Sequence, residues 1–432
     1  MARTAPSGVV GAAVLWLGGG LLLCAAGAGT GFAVRALRTP AASAPSIAAA
    51  ASPTATAPHD VTTAPRALPP KPASCPLTPS DPPWLAVTPP LAPAPPVEPT
   101  SLARRVELWR RVWGELGDHQ HLLVDERRPW VVHAEVDCRE LFNGADQDAS
   151  KASCGARIAD ARRAVQKQLK KGAGSRALIK RYDGDKKLAR TAAKNLINLQ
   201  GRKDALARAQ ARAAPHLGHT EGLFELAEVP RIYARAAIVE SLWRPEALSR
   251  SGAAGAYQFM PKTGAQFLLV DEGVVDERLD PLRSAWAAAH YMSLMSRDLR
   301  EWPLVLTAYN TGPARLKRVM KARRTRDLGK IADAGDFGEF GFDGQNYYAQ
   351  IVAIGQLTAS ARFEPEPVVG RALRLDQALA FNELAACVET EPAALARDNP
   401  ALAQAVLDGT ERVPAGYVAR VPPTVAPALA VR

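Results

Sequence analysis

One acidic residue, Glu240, stands out in the stretch VESLWRPEALSRSGAAGAYQFMP, which covers residues 239–261. Val239 and Trp243 fall on the apolar face of the same predicted helix, so the carboxyl group of Glu240 borders apolar and aromatic side chains. Such surroundings disfavour the charged form of a carboxyl and raise its pKa. A glutamic acid that stays protonated near neutral pH can act as a general acid toward a glycosidic oxygen. An isolated Glu in a helix is usually a solvated surface residue, so the residues that follow must decide between the two interpretations.

The residues after Glu240 form a spaced pattern that resembles the signature of lytic transglycosylases with a goose-type lysozyme fold. A second pattern, AYNTG at residues 308–312, follows in the order in which that family carries it. Ala256 and Tyr257 replace a frequent Leu-Met pair, which is similar to the membrane-bound transglycosylase D branch. The resemblance covers residues 224–361, about a third of the chain. The matching positions of the first pattern are Glu240, Ser241, Trp243, Pro245, Ala247, Ser249, Gly252, Ala253, Gly255, Gln258, Met260, Pro261 and Thr263.

The resemblance implies both a substrate and a reaction. The substrate would be peptidoglycan, cleaved at the β-1,4 bond between N-acetylmuramic acid and N-acetylglucosamine. Glu240 would be the sole acid/base: it would protonate the leaving oxygen and then, as a carboxylate, take the proton of the muramoyl C6 hydroxyl. That hydroxyl would close on C1 and leave a 1,6-anhydro end.

One carboxylate suffices for this reaction because the nucleophile belongs to the substrate. A retaining or inverting hydrolase needs a second carboxylate, which attacks the anomeric carbon or activates a water molecule. Two alternatives stay open. One is a muramidase on the same fold that admits water and yields reducing ends, and the other is a non-catalytic scaffold that binds the wall.

Further motif positions are implied to bind the substrate. Ser249 and Gln258 would hydrogen-bond the N-acetyl and nearby sugar groups, and Tyr257 would supply a wall beside the acid. Tyr309 and Asn310 would position the cleaved sugar and the acetamido group. Each of these residues also has a structural interpretation, such as a helix C-cap for Asn310 or a loop brace for Gln258.

One stretch departs from the family pattern. Family members often carry Glu-Thr-x-x-Tyr-Val after the AYN motif, and the corresponding stretch here is FDGQNYYAQIVA. Tyr347 takes the Tyr position and is a further candidate site residue, whereas Asp343 and Gly344 stand where Glu-Thr would be. Asp343 is shorter than Glu, which changes this part of the expected glycan cleft. The sequence shows no cluster with metal-ligand spacing, so we expect no cofactor.

Helices must position these residues. Pro230 opens a predicted helix whose apolar residues share one face, and Pro245 closes it. A later helix begins near Ala314, after the Gly-Pro pair that follows AYNT. No strand alternation is evident in the predicted catalytic domain, residues 221–362. The fold class is therefore mainly α: a lysozyme-like catalytic domain, a preceding helical region and a small α+β C-terminal module.

The first residues predict export from the cytoplasm. Residues 7–34 carry no charge and are mostly apolar. This segment is longer than the roughly 18 residues that span a bilayer. Because Ala26-Gly27-Ala28 offers a cleavage site, residues 1–35 are either a signal peptide or a membrane anchor. Residues 36–100 are rich in Ala, Pro, Ser and Thr and predict a disordered linker. We expect the protein in the cell envelope, either in the periplasm or anchored in the membrane and facing the wall.

The chain is basic, with 54 Lys and Arg against 43 Asp and Glu and a formal net charge of +11, so an anionic partner is expected. Residues 101–220 are predicted to form helices with basic faces, including a stripe of Leu188, Ala192, Leu196 and Leu199. These faces are either solvated surface or a contact with an anionic polymer. Few aromatic residues interleave with the charges and no DNA-binding motif is found, so we expect no nucleic-acid partner.

Four cysteines follow the apolar segment: Cys75, Cys138, Cys154 and Cys387. In an oxidising compartment disulfides are the default, and Cys138–Cys154 is the most local of the possible pairings.

The C-terminal residues 363–432 have a strand-helix-helix-strand pattern that resembles a degenerate LysM glycan-binding module. A structural cap on the catalytic domain is an equally good interpretation.

Overall fold

The computed structural model describes residues 13–17, 20–24, 70–72, 74–86, 100–143, 146–334, 340–359 and 370–423. Over these residues the chain is mainly helical, as predicted, and its short strands form small antiparallel sheets.

The N-terminal apolar segment contributes two strands, β1 (Ala13–Leu17) and β2 (Gly20–Cys24), which pair antiparallel. The rest of the predicted signal or anchor, residues 1–35, lies outside the described residues, as does most of the predicted linker. Among the described helices, none combines the length and apolar character that crossing a membrane requires. The assignment of residues 1–35 therefore stays a prediction.

Residues 74–86 are ordered, so the prediction of a disordered linker over residues 36–100 is wrong for this part. Strand β3 (Leu77–Ser80) pairs antiparallel with residues 372–375 near the C-terminus. Trp84 is buried at 7% exposure, and its carbonyl oxygen lies 3.0 Å from Nε2 of His219. The Pro-rich composition conceals these anchors because each of them needs a partner far away in the sequence. We call residues 74–86 the strap.

The region that follows the strap combines helices with an antiparallel sheet that the sequence did not predict. Its elements are α1 (Ala103–Gly114), β4 (Gln120–Asp125), β5 (Val132–Asp137), α2 (Gln147–Lys171), α3 (Arg176–Arg181), α4 (Lys186–Thr191), β6 (Leu196–Gln200) and α5 (Lys203–Leu226). The strands pair in the order β5-β4-β6.

Leu196 and Leu199, which helical spacing placed on one stripe, lie in β6 instead. Strand β4 explains the difference: it is buried along almost its whole length, and its backbone needs hydrogen-bonding partners on both sides. Helix α2 packs against the same sheet, and the disulfide Cys138–Cys154 ties it to the end of β5, which confirms the most local pairing.

The predicted catalytic domain is helical within its described residues, except for a short hairpin. Its elements are α6 (Ala236–Ser241), α7 (Pro261–Gly264), β7 (Val270–Asp271), β8 (Val275–Asp276), α8 (Pro281–Leu299), α9 (Trp302–Thr311), α10 (Pro313–Arg323), α11 (Leu328–Asp333) and α12 (Phe342–Thr358). Helix α12 is buried on most of its surface and packs on α1 and α9, so it is the central helix. Helix α5 runs through the predicted boundary at residues 220/221 and adds Leu223 and Phe224 to the core.

The C-terminal module has the predicted order of strands and helices, with one additional short helix. Its elements are β9 (Arg371–Leu375), α13 (Phe381–Cys387), α14 (Pro392–Asp398), α15 (Gln404–Leu407) and β10 (Val418–Val421). Strand β9 lies between β10 and β3, so the strap completes the sheet of this module. A second disulfide, Cys75–Cys387, fixes the strap to α13.

Arg283 on α8 joins the catalytic domain to both the strap and the module. Its guanidinium carbon lies 4.3 Å from the ring centre of Trp84 and 4.7 Å from that of Tyr417. Arg283 also forms ion pairs with Glu277 and Asp280, and its side chain is only 2% exposed. These contacts support the interpretation of the module as a structural cap.

Replacing Cys75 and Cys387 together by Ser should destabilise the docked module. A disulfide between residues 312 positions apart restricts the unfolded chain strongly, and losing a native disulfide typically costs about 2–5 kcal/mol. We expect earlier thermal unfolding and faster proteolysis within residues 370–423. The matched control replaces Cys138 and Cys154, which should leave proteolysis of that segment unchanged. Equal proteolysis of the 75/387 variant and the wild type would contradict the role of this bond.

Candidate active site

Glu240 lies in the last turn of α6, and the backbone shows why the helix stops there. Leu242 and Trp243 adopt left-handed conformations, with φ of 57° and 55°. The indole of Trp243 is fully buried and contacts the ring of Tyr257 at a centroid distance of 6.1 Å. The helix therefore ends before Pro245, and Trp243 fastens this end into the core while Glu240 stays half-buried.

Tyr347 on α12 contacts Glu240 directly. Its hydroxyl donates a hydrogen bond of 2.6 Å to Oε1 of Glu240. Burial raises the pKa of Glu240 to about 7, against an opposing effect of the Tyr347 hydrogen bond, and the negative charge of Asp343 adds to the rise. Burial and the neighbouring Glu240 also hold the pKa of Tyr347 well above its usual range, so the phenol stays a donor. Near neutral pH, Glu240 can therefore both give and accept a proton.

The loop after Glu240 is closed by the side chains of Ser249 and Gln258. The hydroxyl of Ser249 accepts a hydrogen bond of 2.8 Å from the backbone N–H of Ala253. The amide nitrogen of Gln258 donates to the carbonyl oxygens of Ala247, at 3.2 Å, and Gly255, at 2.9 Å. Both residues thus brace the loop, and both remain half-buried at its surface.

Gly255 is required where the loop meets the segment before α8. Its φ is +81°, and a Cβ at this position would lie 1.7 Å from the carbonyl oxygen of Arg278. Arg278 in turn donates through Nη1 to the carbonyl oxygens of Gly252, at 2.7 Å, and Phe259, at 2.9 Å. Asp276 orients the same guanidinium. The sequence did not identify Arg278, and the spacing of Asp276 and Arg278 alone is too common to have revealed it.

Ser241, next to Glu240, ties α6 to this loop. Its hydroxyl donates a hydrogen bond of 2.9 Å to the carbonyl oxygen of Ala256 and accepts one of 2.9 Å from the backbone N–H of Arg244. This explains why a small hydroxyl residue follows the acid in the motif.

Tyr257 lies beneath the site rather than at its surface. Its side chain is 0% exposed, and its hydroxyl donates to the carbonyl oxygen of Ala234 at 3.0 Å. The carbonyl oxygen of Tyr257 accepts a hydrogen bond of 2.8 Å from the hydroxyl of Tyr309 on α9. Burial raises the pKa of Tyr309 well above its usual range, and the charge of Glu240 contributes to the rise. Tyr257 therefore supports the half-buried Tyr309, which lies within the electrostatic reach of the acid.

Asn310 is exposed near the end of α9. The C-cap of this helix is Gly312, with φ of 86°, so Asn310 is not the cap. Within the described residues the structure shows no hydrogen bond to its side chain, which leaves its amide facing solvent.

The described residues contain one group of three potential metal ligands, His121, Cys138 and Cys154. It lies in the sheet region, outside this site, and both of its cysteines are joined in the disulfide.

Comparison with known proteins finds a match for the segment that carries Glu240, whereas Tyr347 lies outside the residues that match the family. Residues 227–331 match the family described as "Transglycosylase SLT domain". Two curated proteins from Escherichia coli strains, both named membrane-bound lytic murein transglycosylase D, are 32% identical over 123 residues. The match covers 28% of this chain and 27% of each relative, so it spans about a quarter of their length. The predicted lysozyme-like helical fold of the catalytic domain is confirmed, and residues 227–331, about a quarter of the chain, are similar to the transglycosylase SLT domain family.

Proposed function

We propose that this protein is a peptidoglycan lytic transglycosylase. It would cleave the β-1,4 bond between N-acetylmuramic acid and N-acetylglucosamine and form a 1,6-anhydro end. The observation that carries the proposal is the half-buried Glu240 of an SLT domain, with a pKa of about 7 and a hydrogen bond from Tyr347. A carboxyl poised near neutral pH is suited to general acid–base catalysis.

In the first step, protonated Glu240 donates its proton to the glycosidic oxygen, and the bond from C1 to that oxygen breaks. The leaving N-acetylglucosamine departs as an alcohol. Glu240 becomes a carboxylate, which the hydrogen bond from Tyr347 stabilises because hydrogen bonds to a charged acceptor are strong.

In the second step, the Glu240 carboxylate removes the proton of the muramoyl C6 hydroxyl while its oxygen bonds to C1. The acid is regenerated, and the reaction needs neither a water molecule nor a second carboxylate. The desolvation of the Glu240 carboxyl and its hydrogen bond from the Tyr347 phenol support this reaction.

The other predicted residues take two kinds of role in this proposal. Asn310 and Tyr309 contact the sugar, with the exposed amide of Asn310 turned to the acetamido group. Ser249 and Gln258 hold the loop and present its surface to the N-acetyl group. Tyr257 acts as a positioning residue through its hydrogen bond with Tyr309.

The proposed substrate places the protein in the cell envelope. The relatives are named membrane-bound, and two disulfides in the described residues suit an oxidising compartment. In this proposal residues 1–35 reach the membrane as a signal or an anchor, glycan strands are the partner, and neither nucleic acid nor a cofactor takes part.

Replacing Glu240 by Gln should abolish turnover, because an amide neither donates a proton to the leaving oxygen nor removes one from the C6 hydroxyl. The products from purified peptidoglycan are identified by mass spectrometry, and the wild type should release anhydro-muropeptides whereas Glu240→Gln should release none. The matched control is Glu246→Gln, an exposed acid in the same loop, which should keep wild-type activity. Reducing ends from the wild type would instead indicate a muramidase, and sedimentation with the wall without any product would indicate a scaffold.

The rate should fall as the pH rises through about 7, the pKa of Glu240. The first step needs the protonated acid, and raising the pH above its pKa removes that proton, so kcat/KM should drop about tenfold per pH unit on the alkaline side. Rates of anhydro-muropeptide release between pH 5 and pH 9 test this. A decline centred near pH 4.5, the ordinary value for Glu, would rule out a proton donor tuned by burial.

Replacing Tyr347 by Phe should move the alkaline limb of the same profile to higher pH. The hydrogen bond from Tyr347 lowers the pKa of Glu240, so its removal raises that pKa further, and kcat should fall because the carboxylate loses its donor. Tyr348→Phe is the matched control on the same helix, because its hydroxyl lies 3.3 Å from that of Tyr233 instead. A lower kcat with an unshifted profile would limit Tyr347 to a structural role.

A further inference from the structure

Most of the net positive charge of the chain falls within one short segment, residues 167–194. Residues 167–194 contain ten Lys or Arg and two Asp, a formal charge of +8, whereas the whole chain carries +11. All ten of these cations are exposed, and nine of them, all but Arg181, form neither an ion pair nor a side-chain hydrogen bond within the described part of the chain. We call these nine the basic face: Lys167, Lys170, Lys171, Arg176, Lys180, Lys186, Lys187, Arg190 and Lys194.

Local folding explains only part of the basic face. Arg176 is the first residue of α3, and Lys186 and Lys187 are the first two of α4. The helix dipole disfavours positive charge at these N-terminal positions. Lys167 and Lys171 lie one helical turn apart, where like charges destabilise a helix. The charges of Arg176, Lys186 and Lys187 therefore oppose the stability of their helices, whereas Lys170, Lys171, Lys180 and Arg190 lie in last turns, where the dipole favours positive charge. The charges at the helix N-termini indicate a role outside folding.

The basic face is fixed relative to the catalytic domain. Tyr182, in the turn after α3, donates a hydrogen bond of 2.9 Å to Asp125 of β4. Asp183 in the same turn forms a 2.5 Å ion pair with Arg104 of α1. Helix α1 packs along α12, which carries Tyr347. A polymer held by the basic face would thus be held by the same rigid unit as the site around Glu240.

The surface chemistry favours a hydrated polymer over a lipid bilayer or a nucleic acid. The large apolar side chains that are exposed in the described residues lie elsewhere: Leu226, Leu248, Met260, Leu269 and Leu294. The aromatic ring of this segment, Tyr182, is buried at 2% exposure. The basic face therefore offers neither apolar groups to insert among acyl chains nor rings to stack on bases.

We propose that the basic face binds the carboxylates of the peptide stems of peptidoglycan and so retains the protein on its substrate. The choice of polymer rests on the proposed function, whereas the anionic chemistry of the partner rests on the basic face itself. Lysines predominate, and their compact hydrated charges suit many exchangeable contacts along a strand. Such binding is governed by long-range attraction, so salt weakens it.

The test measures sedimentation of the full chain with insoluble peptidoglycan, and every protein carries Glu240→Gln so that the polymer stays intact. The variant also replaces Lys167, Lys170, Lys171, Lys180, Lys186 and Lys187 by Gln. We expect its apparent Kd to rise about tenfold or more at low salt, where surface charges attract most strongly. The matched control neutralises six other exposed cations and should bind almost like its parent: Lys203, Arg297, Arg300, Lys321, Arg324 and Arg397.

Two further measurements need no change in the basic face. Raising NaCl from about 0.05 M to about 0.5 M should release the parent protein, since the Debye length then shrinks to a few ångströms. The second measurement uses peptidoglycan whose carboxylates have been converted to amides by a carbodiimide and an amine. The parent protein should bind this amidated polymer as weakly as the six-lysine variant binds the unmodified polymer.

Unchanged binding to the amidated polymer, or equal loss in the control variant, would overturn the proposal. Vesicles provide the remaining comparison: preference for phosphatidylglycerol over phosphatidylcholine that disappears in the six-lysine variant, without a change in peptidoglycan binding, would assign the basic face to the membrane. Because binding is measured without turnover, these results are independent of the products formed by the wild type. Loss of binding in the variant alone would support the basic face even if no anhydro products were found.

Discussion

A carboxyl group that is largely withdrawn from water must be held by partners from distant parts of the chain, and Glu240 places this constraint on the whole catalytic domain. Its hydrogen bond to Tyr347 joins residues 107 positions apart. The bond exists only when α12 lies in the core beside the end of α6. This requires α1 and α9 to cover α12, so a helix from the region before the catalytic domain becomes part of its core. The pKa of one side chain therefore depends on packing that extends well beyond the motif.

Buried arginines keep the segments around this core in register. Arg235 pairs with Glu221 and donates a hydrogen bond of 2.6 Å to Thr358, so it links α5 and α12 behind the site. Arg278 holds the loop that follows the acid, and Arg283 holds the strap and the C-terminal module. Removing one partner of a buried pair leaves an uncompensated charge, at a cost of about 3–5 kcal/mol. Few alternative arrangements of these segments can satisfy all three guanidinium groups, so the pairs specify one arrangement.

The sequence predicted the parts of the site that depend on local order. Glu240, its loop and the Tyr347 position could be found because each lies in a short spaced pattern, and the most local disulfide could be found for the same reason. The sheet of β4, β5 and β6, the ordered strap and the Cys75–Cys387 bond could not, because each depends on pairing across tens to hundreds of residues. Leu196 and Leu199 illustrate the limit: their spacing suits a helix, yet the need of β4 for a second partner places them in a strand. Arg278 was missed because it acts by donating hydrogen bonds to backbone carbonyl groups, and a sequence motif does not encode such contacts.

Two classes of charge are separated in this fold, and they respond to different conditions. The arginines of the core are paired, dry and out of reach of salt, so they act through geometry. The cations of the basic face are exposed and lack ion pairs within the described residues, so they act through a field that salt can screen. Helix α1 contacts both classes, since Arg105 is buried against Asn346 of α12 while Arg104 reaches the turn beside the basic face. A chain built in this way can hold a polymer loosely at one surface without disturbing the desolvated acid at the other, because no titrating group is shared between the two.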